Sequence, residues 1–242
     1  MTKKNFKSLL LTCLIMGSIG SAQAQIFKKK SKTKTPSEAP AKLEKTEPQA
    51  YSKVITKDAK TDKGLFDVHK VKEEYFYEIP DSLMGREMLM VSRIAKTAAG
   101  IGFGGGKINT QVMRWEKKGN KVYLRIVSHD VVANDSLPVK EAVVNSNFEP
   151  VLYSFDVKSN RKDSIVTATV INVTDLFNKD VNALGMPESY KKKYKVSRLD
   201  SDRSFIESLK SYPLNIEARH VKTYFSGEPP SNSSLGSISV EI

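Results

Sequence analysis

Hydrolysis at zinc needs three protein ligands on one ion, usually with two histidines one helical turn apart. The histidines are His69, His129 and His220. Each is isolated in the sequence, and none begins a His-Glu-x-x-His pattern. His69 and His220 fall in strand-like stretches, where an imidazole is expected as a half-buried or surface side chain, so no metal site is expected from these residues. The run Gly100-Ile101-Gly102-Phe103-Gly104-Gly105-Gly106-Lys107 imitates a phosphate-binding loop. Such a loop requires Ser or Thr after the Lys and a helix behind it, so that amides and the helix dipole face the anion. Ile108 follows instead, and Thr110 to Glu116 reads as a strand. The run is therefore expected to be a flexible loop between two strands. There is no Gly-x-Ser-x-Gly elbow, and Glu73-Glu74, Asp130 and Asp135 fall in turns or edges. No catalytic and no cofactor-binding residue is expected.

The elements that would carry such groups begin well inside the chain. Lys3, Lys4 and Lys7 precede the apolar run Ser8 to Gly20, and Ala22-Gln23-Ala24 has the small-x-small form of a cleavage site. Residues 1–24 thus read as a secretory signal peptide, too short in its apolar part for a bilayer span of roughly 20 residues. Cys13 invites a lipoprotein reading, but Thr12 precedes it and it lies too early, so cleavage after Ala24 and an exported product without a transmembrane segment are expected. Cys13 is the single cysteine, so the exported chain has no disulfide and no thiolate metal site. Residues 25–50 carry Lys28 to Lys30, Lys32, Lys34, Pro36, Pro40 and Pro48, and read as a basic, disordered linker with little apolar surface to bury.

The formal net charge is +12. Three Lys in residues 1–24 give +3, and seven Lys against three Glu in residues 25–50 give +4, which leaves +5 for residues 51–242. A phosphate-gripping surface needs concentrated charge on the folded part. No nucleic-acid partner is expected.

From Tyr51 onward the pattern is mainly β. A turn at Thr61 to Gly64, with Gly64 supplying a positive φ, leads into Leu65 to Val71, and Tyr75 to Ile79 follows as the second arm of a hairpin. Pro80 ends that arm, and Asp81-Ser82 start a turn closed by Gly85. Arg86 to Ile94 is apolar on both faces through Met88 to Val91, which predicts an internal strand covered on both sides. Thr110–Glu116 and Lys121–His129 flank a hairpin tip at Lys117 to Asn120. Further on, the pattern predicts a short helix near Lys140–Val143, strands at Val151–Val157 and Ile165–Val173, and a helical turn capped by Thr174 or Asp175 at Leu176-Phe177. Ser204-Phe205-Ile206-Glu207 has capping-box spacing for a short helix that Pro213 stops. Strands are expected from Leu214 toward Phe225 and over Ser237–Ile242, the last alternating to the final residue. The fold class expected is α+β, mainly β: antiparallel sheets with a few short helices. Residues 51–95 read as a small N-terminal β module and 96–242 as a larger β-rich module truncated at its C-terminus, with an open edge at its unpaired last strand.

The segments GLFDVHKV and YFYEIPDSLMGREMLMVSRIAK, with AVVNSNFEPVLYSFDVKS, VINVTDLFN, KVSRLDSDRSFIESLKSYPLNIEARHVKTY and SLGSISVEI, resemble the N-terminal region of secreted, Bacteroidota-type zinc-dependent metalloproteases. The resemblance covers most of residues 51–242. It implies two β-rich modules ahead of a metzincin-like catalytic domain that holds zinc on an extended His-Glu-x-x-His signature, absent from this chain. It implies in turn that this chain is inactive alone and holds no cofactor. Its partner would be the missing catalytic domain, and its role that of a scaffold, a prodomain or a substrate-positioning segment. An alternative is a stand-alone cell-envelope binding module for polysaccharide or protein, with a peptide or polysaccharide as its partner, using the Gly100–Gly106 loop and the aromatics Tyr75 to Tyr77. Under a Bacteroidota origin, Asp81-Ser82-Leu83, Asp135-Ser136-Leu137 and Asp163-Ser164-Ile165 fit an Asp-Ser-aliphatic O-glycosylation motif at Ser82, Ser136 and Ser164; the competing reading is three Asp-Ser turns.

Overall fold

The computed structural model describes residues 47–163, 166–230 and 235–242; the leader, most of the linker and Ser164 lie outside them. Among the described residues, twelve strands build two sheets. β1 (Lys60–Asp62), β2 (Asp67–Val71), β3 (Glu74–Pro80), β4 (Glu87–Arg93), β6 (Lys107–Lys118), β7 (Lys121–Val127), β8 (Val151–Lys162) and β9 (Thr167–Asn172) form one sheet in the order β1-β2-β3-β9-β8-β7-β6-β4. β10 (Val196–Ser211), β11 (Ile216–Ser226), β12 (Ser237–Glu241) and β5 (Lys96–Thr97) form the second, in the order β10-β11-β12-β5. Neighbouring strands are antiparallel throughout. The helices are short: α1 (Tyr51–Val54), α2 (Lys140–Ser146), α3 (Thr174–Asn178) and α4 (Glu188–Lys193). The class is mainly β with antiparallel sheets, as the alternating sequence predicts.

The twelve-residue β8 joins the large sheet into one, pairing β7 through Val151–Asp156 and β9 through Val157–Lys162. Strands from residues 51–95 and from residues 96–242 are hydrogen-bonded to each other in this sheet, since β3 pairs β9 and β4 pairs β6. The main core lies where the inner face of this sheet meets β10 and β11: Tyr77, Trp115, Val122, Leu124, Phe155 and Ile171 pack with Leu209, and Ile206, Ile216 and Ala218 back them. Tyr77 is its hub, with ring centroids 4.9 Å from Phe66, 6.3 Å from Trp115 and 6.5 Å from Phe177, all edge-on, the geometry that aromatic quadrupoles favour.

Five local expectations are corrected. Gly64 does not adopt a positive φ; it is glycine because a Cβ there would meet Ser211 Oγ and stand 2.5 Å from the Tyr212 carbonyl oxygen. Lys72, at φ +54°, makes the left-handed step of the β2–β3 hairpin instead. The capping-box segment Ser204–Glu207 is strand, inside β10. Asp200 Oδ1 accepts from the amides of Asp202 (3.1 Å) and Arg203 (3.3 Å), and Ser204 Oγ donates to the Asp200 carbonyl (2.6 Å). These bonds close a bulge between Asp200 and Phe205 rather than a helix start. The turn at α3 is capped by neither Thr174 nor Asp175: Asn172 Oδ1 accepts the Thr174 amide (3.0 Å), and Thr174 Oγ1 is taken by the Tyr75 amide of β3 (2.8 Å). β4 is an edge strand, not an internal one, with Leu89 65% and Val91 46% exposed. The last strand is the reverse case. β12 lies between β11 and β5, and Ile242 is buried, exchanging backbone hydrogen bonds of 2.9 Å with His220.

Candidate functional site

Alternation along β2 and β3 sends Asp67, His69, Phe76 and Glu78 to the face of the large sheet that α1 covers. Glu78 stands directly across the strand pair from Asp67. Like charges in that position repel, and the neighbouring side chains answer the repulsion. Arg161 of β8 donates from Nη1 to Glu78 Oε1 (2.7 Å) and from Nη2 to Asp163 Oδ2 (2.9 Å). Tyr51 of α1 donates its hydroxyl to Glu78 Oε2 (2.6 Å), and His69 Nε2 lies 3.1 Å from the same oxygen. His69 Nδ1 lies 2.8 Å from Thr61 Oγ1 of β1. Both His69 and Glu78 are buried. Burial alone would raise the Glu78 carboxyl; the hydrogen bonds from His69, Tyr51 and Arg161, with the guanidinium charge, outweigh it and hold the carboxyl down to about 2. Burial, reinforced by the bond to Glu78, pushes the Tyr51 phenol up. An ionised Glu78 only accepts, which assigns the His69 Nε2 proton as the donor in that bond.

One donor atom from each of Asp67, His69 and Glu78 lies within 4.8 Å of the other two, a spacing open to a cation. The chemistry of the set fits an ion poorly. Both His69 nitrogens and both Glu78 oxygens are engaged by protein groups, and a divalent cation would displace or face the Arg161 guanidinium. Acid–base work is equally disfavoured, because a carboxylate held near 2 is a weak base at neutral pH and a phenol pushed upward is a weak acid. The arrangement ties α1, β1, β2, β3 and β8 together.

A second buried polar row lies on β11. His220, Lys222 and Tyr224 alternate onto one face, and all three are buried beneath the segment that runs from α3 to α4. His220 Nε2 lies 3.0 Å from the Leu184 carbonyl, and Lys222 Nζ donates to the Lys179 carbonyl. Tyr224 donates to Asp180 Oδ1 (3.0 Å) and accepts the Met186 amide (3.1 Å), while Lys191 Nζ pairs with Asp180 Oδ2 (2.9 Å). Gly185 fits here because a Cβ would lie 2.8 Å from Asp180 Oδ1 and 3.0 Å from the Tyr224 hydroxyl. Burial pulls Lys222 down to about 8, against the pull of Asp180, and pulls His220 down to about 4. A lysine with a lowered pKa is the usual start of amine nucleophilic chemistry. Lys222, however, is fully buried with its ammonium on a backbone carbonyl, which leaves a substrate no approach.

The remaining sequence-derived residues scatter. His129 is exposed, with Nε2 3.0 Å from Glu87 Oε2, and the three histidines share no site. Ser82 is exposed in a 3-10 turn at Asp81–Leu83, Ser136 is exposed with its hydroxyl on Asn134 Oδ1 (2.9 Å), and Ser164 lies outside the described residues. Tyr75, Phe76 and Tyr77 are buried and offer no stacking surface. The Gly100–Gly106 loop does connect two strands, β5 and β6. It is tied to β4's end by Ile94 N to Gly106 O (2.8 Å) and Gly105 N to Ile94 O (2.6 Å), and it presents Phe103, 94% exposed.

A family model described as Domain of unknown function (DUF5117) matches residues 105–242, more than half of the chain. The chain belongs to the DUF5117 family. A second model, Domain of unknown function (DUF5118), matches residues 48–97, so strands from the two matched regions share one sheet. The second polar row lies wholly within the DUF5117 region, whereas the Glu78 network spans both, joining Tyr51, His69 and Glu78 of the DUF5118 region to Arg161 of the DUF5117 region. No curated protein matches the chain, and no solved structure does.

Proposed function

We propose that this chain is a non-catalytic module of an exported zinc metalloprotease, serving as a scaffold or substrate-positioning segment for a catalytic domain that carries the zinc. One observation carries the reading: both buried polar constellations have their reactive groups engaged in holding elements together, with Glu78 against Arg161 and Tyr51, and Lys222 against the Lys179 carbonyl. The metalloprotease assignment itself rests on the sequence resemblance, and the export on the leader pattern. The test is kinetic. The chain is titrated onto a catalytic domain with the extended His-Glu-x-x-His signature, taken from a protein that carries both modules, and casein cleavage is followed. The expected result is a saturable change in kcat/KM; no change at saturating chain would contradict the proposal. The alternative, an envelope binding module, draws its support from Phe103 standing out of the glycine-rich loop, the one aromatic of that proposal available for contact.

A further inference from the structure

A free strand edge offers unpaired N–H and C=O groups to any other strand, and proteins blunt such edges by shortness, charge, proline or bulges. Three of the four sheet edges here are treated that way. β1 is three exposed residues, Lys60 to Asp62, and β5 is two residues. β10 is long but interrupted by irregularities between Asp200 and Phe205 and between Ile206 and Ser208. β4 is less protected: its charges, Glu87 and Arg93, sit only at its ends, and its one pairing irregularity lies between Ser92 and Arg93, so Met88 to Val91 carry none of these devices. It runs seven residues, regular against β6 from Glu87 to Ser92, with Met88 and Met90 directed inward and Leu89 and Val91 exposed outward. It contains no proline and no inward charge.

The sequence of β4 is complementary to itself. In an antiparallel pairing of two copies about a two-fold axis through Met90, Glu87 lies opposite Arg93 of the second copy and Leu89 opposite its Val91. Met88 lies opposite Ser92, and Met90 opposite Met90. Directly opposed residues share a sheet face, so the ion pairs and the Leu–Val contacts fall on the exposed face and the methionines extend the inner one. Sliding the register by two residues loses both ion pairs, and a parallel pairing stacks Glu87 on Glu87. Glu87 lies 3.0 Å from His129 and Arg93 donates to the Gly105 carbonyl (3.2 Å); both contacts are exposed and cheaply exchanged for a charge pair.

We propose that the chain forms a two-fold dimer through β4, joining the eight-stranded sheets of two copies into one. The proposal is independent of the protease reading. The test is sedimentation equilibrium on the full chain with charge-swap variants. The wild type is expected as a dimer at about 100 µM. Glu87→Arg places like charges at both ends of the interface and raises the dissociation constant about tenfold, and the double swap E87R/R93E returns it to within about threefold of wild type. Leu89→Lys, at an exposed position, weakens the dimer independently of the charge pair, and far-UV circular dichroism shows whether each variant keeps its fold. Four outcomes overturn the proposal: a wild-type monomer at about 100 µM, a Glu87→Arg dimer of unchanged affinity, a double swap no tighter than the single, or a monomer that takes a different, extended peptide on β4.

Discussion

At the scale of single residues, the buried ionisable groups make the fold sensitive to acid in two separate windows. Glu78 titrates near 4.5 in an unstructured chain and about 2 here. Between those values the unfolded chain holds more protons, so the stability that Glu78 contributes is fully present above pH 4.5 and is lost as pH falls toward 2. The shift corresponds to about 3 kcal/mol. Glu78→Gln should therefore cost about 2–3 kcal/mol at pH 7, since it leaves Arg161 and Tyr51 facing a neutral amide; denaturant titrations of the two proteins should converge near pH 2. His220 supplies the upper window. Burial, with the charge of Lys222, brings it from 6.5 down to about 4 against the bond to Leu184. Here too the unfolded chain binds the extra proton, and stability falls as pH drops from 6.5 to 4. His220→Gln should flatten that part of the stability profile while leaving the Glu78 part unchanged. His220 stood out in the sequence as a lone histidine in a strand, Glu78 did not, and the partners of neither were legible. Glu78 meets Arg161 across 83 positions and Tyr224 meets Asp180 across 44, separations that only strand pairing closes and that no local spacing encodes.

At the scale of elements, legibility followed the strength of the local pattern. Alternation marked β7 and, loosely, β2, because half-buried strands impose a period of two, whereas β3 and β9, buried on both faces, were legible from their runs of aromatic and β-branched residues. It misplaced β4, since residues apolar on both faces look the same whether a second layer covers them or water does. The capping-box spacing at Ser204–Glu207 failed for a related reason: Asp and Ser close bulges with the same side-chain-to-backbone bonds that start helices. Gly64 was correctly singled out but for the wrong cause, because close approach to Tyr212 is a tertiary contact. That cause has a consequence. Gly64→Ala should destabilise the chain by about 1–3 kcal/mol through overpacking against the β10–β11 turn, whereas Gly119→Ala, at φ +57° with open space around it, should cost about 1–2 kcal/mol from backbone strain alone. Tyr51→Phe should cost about 1 kcal/mol and increase hydrogen exchange selectively at the α1 end, since the phenol is the polar link from α1 to Glu78.

At the scale of the whole molecule, two sheets with a shared aromatic core carry buried charge only where it fastens one element to another. The mainly β class was readable because strand patterns recur along residues 60–242. The joining of the DUF5118 and DUF5117 regions in one sheet was not, because β3 and β4 take their partners, β9 and β6, from the other region, and nothing local in either strand names its partner. Among the described residues no helix is long and apolar enough to cross a membrane. Under the proposed function the molecule is a frame that works on another polypeptide. The most direct test of that proposal is the cleavage of casein and gelatin by the purified chain with added zinc. No cleavage above a zinc-only control is expected. Zinc-dependent cleavage that a chelator abolishes, and that Glu78→Gln or Lys222→Met removes without unfolding the chain, would contradict it.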